Sequence, residues 1–204
     1  MILEKETEKT EIKETGTNLG LDMGINKLIS LSNGQVLGKD FKPLLDKLDR
    51  KQKKSKASQK VRTEIKQYIR EMVNQMPWNE MSLLVMEELK NITKNTKKTK
   101  GKRKRVNAKT RKYLSRWNIG LLKSSIMQKA EENSVYLALV TPAYTSQTCS
   151  HCGNINKASR KGEDYKCALC GHHEDADTNA AKNILQRFWK EPIVPSIDKE
   201  NQSL

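Results

Sequence analysis

The stretch Cys149-Ser-His-Cys152, followed by Cys167-Ala-Leu-Cys170, constrains this chain more than any other feature. Two residues between paired cysteines let both thiolates reach one tetrahedral ion from a tight turn. Fourteen residues separate the pairs, a gap that two short hairpins span. Each pair is followed by a glycine, Gly153 or Gly171, whose missing Cβ lets backbone N–H groups curl toward the sulfurs. Cys149, Cys152, Cys167 and Cys170 together close a tetrahedral shell. The spacing therefore predicts a structural zinc with no open coordination position. Two disulfides or free thiols are the competing reading. His151, His172 and His173 lie close by, and one could replace a cysteine. With four thiolates already present, they read as bystanders or nucleic-acid contacts.

The setting decides between metal and disulfide. The N-terminus, MILEKETEKTEIKET, is charged from residue 4 onward and carries no apolar signal segment. The longest apolar run, residues 135–140, is far short of the ~20 residues that a membrane span needs. The chain thus reads as soluble and intracellular, in cytoplasm or nucleoid, with no membrane partner. In that reducing compartment cysteines serve metals before disulfides.

Apolar periodicity orders the rest. Residues 1–16 read as a loose arm. Residues 16–37 give two or three short antiparallel strands, with a hairpin turn at Asn33-Gly34. Residues 41–76 look helical, with a break around 55–58, and Pro77 ends them. Residues 82–86 read as a buried strand, 113–133 as a helix, 135–140 as a strand, and a last helix starts near Thr178. This order suits an α/β layer built on a mixed sheet. The domain reading is residues 17–143 and 174–190 for the main unit, 144–173 for the cysteine module and 191–204 for a polar tail.

A zinc closed by four thiolates does no chemistry, so the carboxylates need their own explanation. Asp22 ends the apolar strand in GLDMG, and Glu87 ends LLVME. Side chains alternate across a strand, so Glu87, not Glu88, shares the face of Leu83 and Val85. Asp175 and Asp177 precede the last helix. Each has an ordinary alternative: a turn residue for Asp22, a first exposed residue for Glu87, a helix N-cap for the Asp175/Asp177 pair. Taken as a set, acids from two strand ends and a helix start suit oxygen-ligated Mg²⁺ in a two-ion phosphodiester-hydrolysing site.

The formal net charge of +15 over 204 residues points to polyanions as partners, nucleic acid ahead of an anionic membrane. Two blocks concentrate it. Residues 50–62 hold seven Lys/Arg and no acid, and residues 90–112 hold twelve and no acid. The second block reads as a solvated loop beside Glu87, either inert or in contact with nucleic acid. Tyr113 and Trp117 could stack on bases, but their helical spacing fits core packing at least as well.

The motifs GLDMG (20–24), VMEEL (85–89), TSQTCSHCG (145–153), YKCALCG (165–171) and DADTNAAKNI (175–184), in this order, resemble the C-terminal half of the insertion-sequence OrfB, or TnpB, nucleases, relatives of type V CRISPR effectors. The resemblance covers residues 17–189. It implies an RNase H-like (RuvC-type) mixed sheet flanked by helices, with an inserted four-cysteine zinc ribbon. It implies that Asp22, Glu87 and Asp177 form the catalytic triad holding two Mg²⁺ ions, with Asp177 preferred over Asp175 by the family's D-x-D-x-N-A-A pattern. Family members are implied to be RNA-guided DNA endonucleases, so DNA and a guide RNA are the expected partners. The family's large N-terminal region has no counterpart ahead of the first strand here, so a protein partner could replace it. Two further readings stay open: a guide-independent RuvC-like nuclease acting on branched or single-stranded DNA, and a non-catalytic nucleic-acid-binding regulator or transposon remnant.

Overall fold

Leu19, Leu21 and Met23 alternate with Asn18, Gly20 and Asp22, and this two-residue period makes Thr17–Met23 the first strand, β1. The computed structural model describes residues 12–88, 113 and 116–190. In it, β1 pairs antiparallel with β2 (Ile29–Leu31), which pairs antiparallel with β3 (Val36–Leu37). The turn between β2 and β3 holds Asn33-Gly34, and the Gly34 amide donates to the Leu31 carbonyl at 3.0 Å. On the other side of β1, β4 (Met81–Glu87) and then β5 (Tyr136–Val140) run parallel to it. The five strands form one mixed sheet in the order β3-β2-β1-β4-β5.

Helices cover both faces. On one, α1 (Phe41–Asp49), α2 (Lys56–Asn74) and α3 (Ile119–Glu132) bury Phe41, Leu45, Ile65, Ile69, Leu122 and Ile126 against Leu19, Leu21, Leu84 and Met86. The break between α1 and α2 falls at residues 50–55, and the Ser55 hydroxyl starts α2 by accepting the Ser58 amide at 3.1 Å. Trp117 is buried in this core. Tyr113 packs partly against it, and its hydroxyl donates to Asp46. Both rings thus contribute to core packing.

Among the described residues one helix, α4 (Ala176–Lys190), covers the opposite face, where Ile184, Leu185 and Phe188 meet Leu83, Val85, Ala138 and Val140. It begins two residues ahead of the expected Thr178. The reason is Asp175, whose carboxylate accepts the amides of Asp177 and Thr178, both at 3.1 Å. Capping at Asp175 makes Ala176 the first helical residue.

The approach of α4 to β1 depends on one missing side chain. A Cβ on Gly20 would stand 2.0 Å from the Ala181 carbonyl oxygen and 2.9 Å from the Leu185 amide nitrogen. Both are backbone atoms of α4, so no rotamer change relieves the overlap. Gly20→Ala is expected to cost about 3 kcal/mol or more, at the upper end for overpacking. Urea unfolding measures this, and a variant as stable as wild type would contradict the close contact.

The basic block 90–112, residues 1–11 of the arm and the tail 191–204 lie outside the described residues. Among the described residues, no helix is long and apolar enough to cross a membrane.

Candidate metal centre and carboxylate site

The cysteine module folds around a second, three-stranded antiparallel sheet: β6 (Arg160–Lys161), β7 (Asp164–Lys166) and β8 (His173–Asp175). Each Cys pair closes a turn in which the following glycine donates back, Gly153 to the Cys149 carbonyl at 2.9 Å and Gly171 to the Cys167 carbonyl at 3.1 Å. Both glycines hold positive φ, +76° and +74°, which an L side chain resists. The turns bring Cys149 Sγ to 3.7 Å from Cys170 Sγ, and Cys152 Sγ to 3.7 Å from Cys167 Sγ. All four sulfurs lie within 4.8 Å of one another. A regular tetrahedron with Zn–S bonds of about 2.3 Å has edges of about 3.8 Å, so the four thiols fit a structural zinc.

Electrostatics agree. The Cys170 amide leads the groups that pull the Cys167 thiol down to about 6, with burial opposing. At Cys170 the His172 amide favours the thiolate, but burial and the sulfurs of Cys152, Cys167 and Cys149 push the thiol up to about 12. Four thiolates so close together need a cation between them. The histidines turn elsewhere: His172 Nε2 lies 2.8 Å from Glu174 and its ring stacks on His151, while His173 pairs with Asp164.

The ribbon is sewn to α4 by amide side chains. Asn179 accepts from the Ser150 amide at 2.9 Å and donates to the Thr148 carbonyl at 2.8 Å. One turn on, Asn183 donates to the carbonyls of Thr145 and Thr148 at 2.9 and 2.7 Å. Gln186 donates to the Ser150 carbonyl at 2.8 Å. Asn183→Leu should leave both carbonyls short of a donor in a buried seam and cost about 2 kcal/mol. A thermal midpoint unchanged from wild type would show that the seam is wet.

Beside this seam, three elements deliver the predicted acids. Asp22 is the penultimate residue of β1 and Glu87 the last of the parallel neighbour β4, one step beyond the Leu21–Met86 pair. Both project toward α4, whose first turn carries Asp177. Burial first, then repulsion from Asp177 and Glu87, pushes the Asp22 carboxyl up to about 7, with Arg160 opposing. Burial likewise raises Glu87, against a hydrogen bond from Thr145 and the charge of Arg187. These couplings put the three acids in one low-dielectric neighbourhood. Their oxygens are spread more widely than the sulfurs: among the described residues, only the four cysteines bring three or more ligand atoms within 4.8 Å of one another. Across from Asp22 on β2, the buried Ser30 hydroxyl has no hydrogen-bond partner among the described residues.

Two cations in this neighbourhood escaped the sequence reading. Arg160 Nη2 lies 2.7 Å from Asp177, and Lys27 Nζ lies 3.7 Å from it. Lys27 also donates to Asp175 and stands 3.6 Å from Glu163. Burial opposes ionisation of Asp175, but Lys27 and the helix amides outweigh it and hold its pKa below the ordinary value. Asp175 is thus the helix cap, paired with Lys27, and Asp177 is the acid turned toward Arg160.

Comparison with known proteins fits this arrangement. A family profile described as "Cas12f1-like, TNB domain" matches residues 120–184, from α3 through the ribbon into α4. The CRISPR-associated endodeoxyribonuclease Cas12f1 of Sulfoacidibacillus thermotolerans is 40% identical over 89 residues, 43% of this chain and 19% of that protein. The Escherichia coli (strain K12) protein named "Putative RNA-guided DNA endonuclease InsQ" is 28% identical over 203 residues, 86% of this chain and 50% of that protein. The chain is a partial-length relative of TnpB and Cas12f. All four cysteines and Asp177 of this TnpB/Cas12f-like chain fall inside the profile match. Its fold also matches that of a solved Cas12f1–sgRNA–target DNA complex, with a TM-score of 0.55 at 19% identity over 88% of this chain and 50% of that one. The mixed five-stranded sheet with its flanking helices is therefore a fold shared with that structure. The chain spans half the length of InsQ and a smaller share of the Cas12f1 protein.

Proposed function

We propose that this chain carries the hydrolytic site of a metal-dependent DNA endonuclease of the TnpB-like type, working with a guide RNA or with a partner chain. One observation carries the reading: the β1–β4 register sets Asp22 beside Glu87 on the sheet face that α4 covers, and the first turn of α4 brings Asp177 to the same place. Three acids that repel one another across a partly buried site are poorly placed for stability and well placed for cations. The hard oxygen donors suit Mg²⁺, and the wider spread of the acids suits two ions about 4 Å apart better than one. Asp22, Glu87 and Asp177 would hold them, and the ions would supply water activation and stabilisation of the leaving oxygen.

The chain's own side chains set the frame. β1 and β4 fix Asp22 and Glu87 on a shared sheet face, and the Thr145 hydroxyl orients Glu87 by donating to it. The Asp175 cap fixes the first turn of α4 and so the direction of Asp177. Arg160 brings a guanidinium from the ribbon to the same place, suited to pairing with a phosphate oxygen. The names of the curated relatives, an endodeoxyribonuclease and an RNA-guided DNA endonuclease, support DNA as the substrate and RNA as the guide.

The test is a purification that measures bound RNA and zinc, followed by Mg²⁺-dependent cleavage of single-stranded and branched DNA. Wild type should cleave and Asp22→Ala should not. Equal behaviour of the two sinks the enzyme reading and leaves a binding protein. Cleavage by RNA-free protein would favour the guide-independent nuclease.

A further inference from the structure

Between residues 50 and 70 the chain carries nine Lys/Arg and one acid, Glu64. All nine are exposed, and Lys47 pairs with Glu64 at 2.6 Å. Arg62, Lys66 and Arg70 stand four residues apart on α2, which stacks them in one row about 12 Å long. The buried residues Val61, Ile65, Ile69 and Val73 define the inward side. At 100° per residue, Glu64 and Glu71 fall on the opposite flank from the row. Arg62, Lys66 and Arg70 make no ion pair among the described residues. Like charges four residues apart repel one another, so the row opposes helix stability until an anion meets it.

Its place in the fold is the telling part. α2 packs on the face of the sheet that carries Leu19 and Leu21, whereas Asp22, Glu87, α4 and the ribbon occupy the other face. A strand lying at the carboxylates cannot also lie on this row without passing round the sheet. We propose that the row binds the phosphate backbone of a second nucleic-acid segment, separate from the one at the carboxylates. One phosphate per ~3.4 Å of each strand lets 12 Å of helix meet roughly three of them. The exposed side of α2 offers Lys, Arg, Gln, Thr, Asn, Ala57 and one acid, Glu71, with no large apolar residue, which does not suit insertion into a membrane surface. This rests on the nucleic-acid part of the function proposed above, and not on its chemistry.

The test compares wild type with Arg62→Gln/Lys66→Gln/Arg70→Gln, both full-length and zinc-loaded, without Mg²⁺. Fluorescence anisotropy across a salt series would use 30-nucleotide single-stranded RNA, single-stranded DNA and duplex DNA of equal length. The triple variant should bind at least one probe tenfold or more weakly near 0.1 M salt. Its log–log salt slope should be shallower by about 2 to 3, and the probe affected identifies the occupant. Unchanged slopes on all three probes, or a wild type that binds none, overturn the proposal. So does an equal loss in Lys39→Gln/Lys123→Gln/Lys157→Gln, which would mean diffuse charge. So does a loss confined to vesicles containing phosphatidylserine. Mg²⁺-dependent cleavage by wild type, measured separately, reports on the carboxylate site, so either idea can fail alone.

Discussion

Asp22→Asn is expected to make the magnesium-free protein more stable at pH 7.5 and to lower Mg²⁺-dependent cleavage at least a thousandfold. The unfolded carboxyl titrates near 3.8 and the folded one near 7. Between those values the folded state holds a proton that the unfolded state has released. The contribution of Asp22 to stability therefore falls as pH rises from about 4 to about 7. Above pH 7 the folded protein carries the penalty of a partly buried charge beside Asp177 and Glu87. A gap of about three units corresponds to at most about 4 kcal/mol. Asparagine keeps the size of the side chain and carries no charge at any pH, so the variant should lose this slope and gain stability at pH 7.5. It also removes one of the proposed ion ligands, and several kcal/mol of transition-state stabilisation is a factor of a thousand or more. Urea unfolding at pH 5 and 7.5, in zinc-containing buffer without magnesium, measures the first effect. A variant no more stable than wild type at pH 7.5 would mean that Asp22 is not crowded by its neighbours.

Asp22 and Glu87 were legible because a strand has a period of two. That period alone selects Glu87 over Glu88 and puts it on the side of Leu83 and Val85, where α4 packs. The cysteine spacing and the Asn33-Gly34 turn are local signals of the same kind. Arg160 and Lys27 carry no such signal. Lys27 meets Asp175 across 148 residues, a contact that exists only once the ribbon folds back over the β1–β2 turn. Choosing between Asp175 and Asp177 was equally beyond local reading, since either acid suits the N-terminus of a helix. Which of the two caps the helix is decided by the carboxylate that the amides reach, and that is Asp175. Asn179, Asn183 and Gln186 share one polar face of α4. In the fold that face is covered, because the ribbon offers it carbonyl groups in place of water.

Loss of the zinc site, by Cys149→Ser or by chelation, should unfold the ribbon and leave the main sheet standing. The ribbon's small core is Cys149, Tyr165, Cys167 and Ala176, separate from the core that α1, α2 and α3 make with the sheet. Zinc binding to structural sites contributes roughly 10–16 kcal/mol, far more than the burial of these four side chains can replace. Hydrogen exchange should then show lost protection in the ribbon and the first turn of α4, with β1 and β4 still protected. The consequence reaches the carboxylates without any zinc touching them. Arg160, the Glu163 carbonyl that receives the Ala176 amide at 2.9 Å, and the Thr148 and Ser150 backbone all belong to the ribbon. Without them Asp177 loses its neighbour and its helix loses the seam that fixes its start. A displacement of 1 Å in a reacting group costs about a hundredfold, so cleavage should fall by at least that much while the sheet remains folded. Zinc-free protein that cleaves at the wild-type rate would show instead that Asp177 is held by α4 and β1 alone.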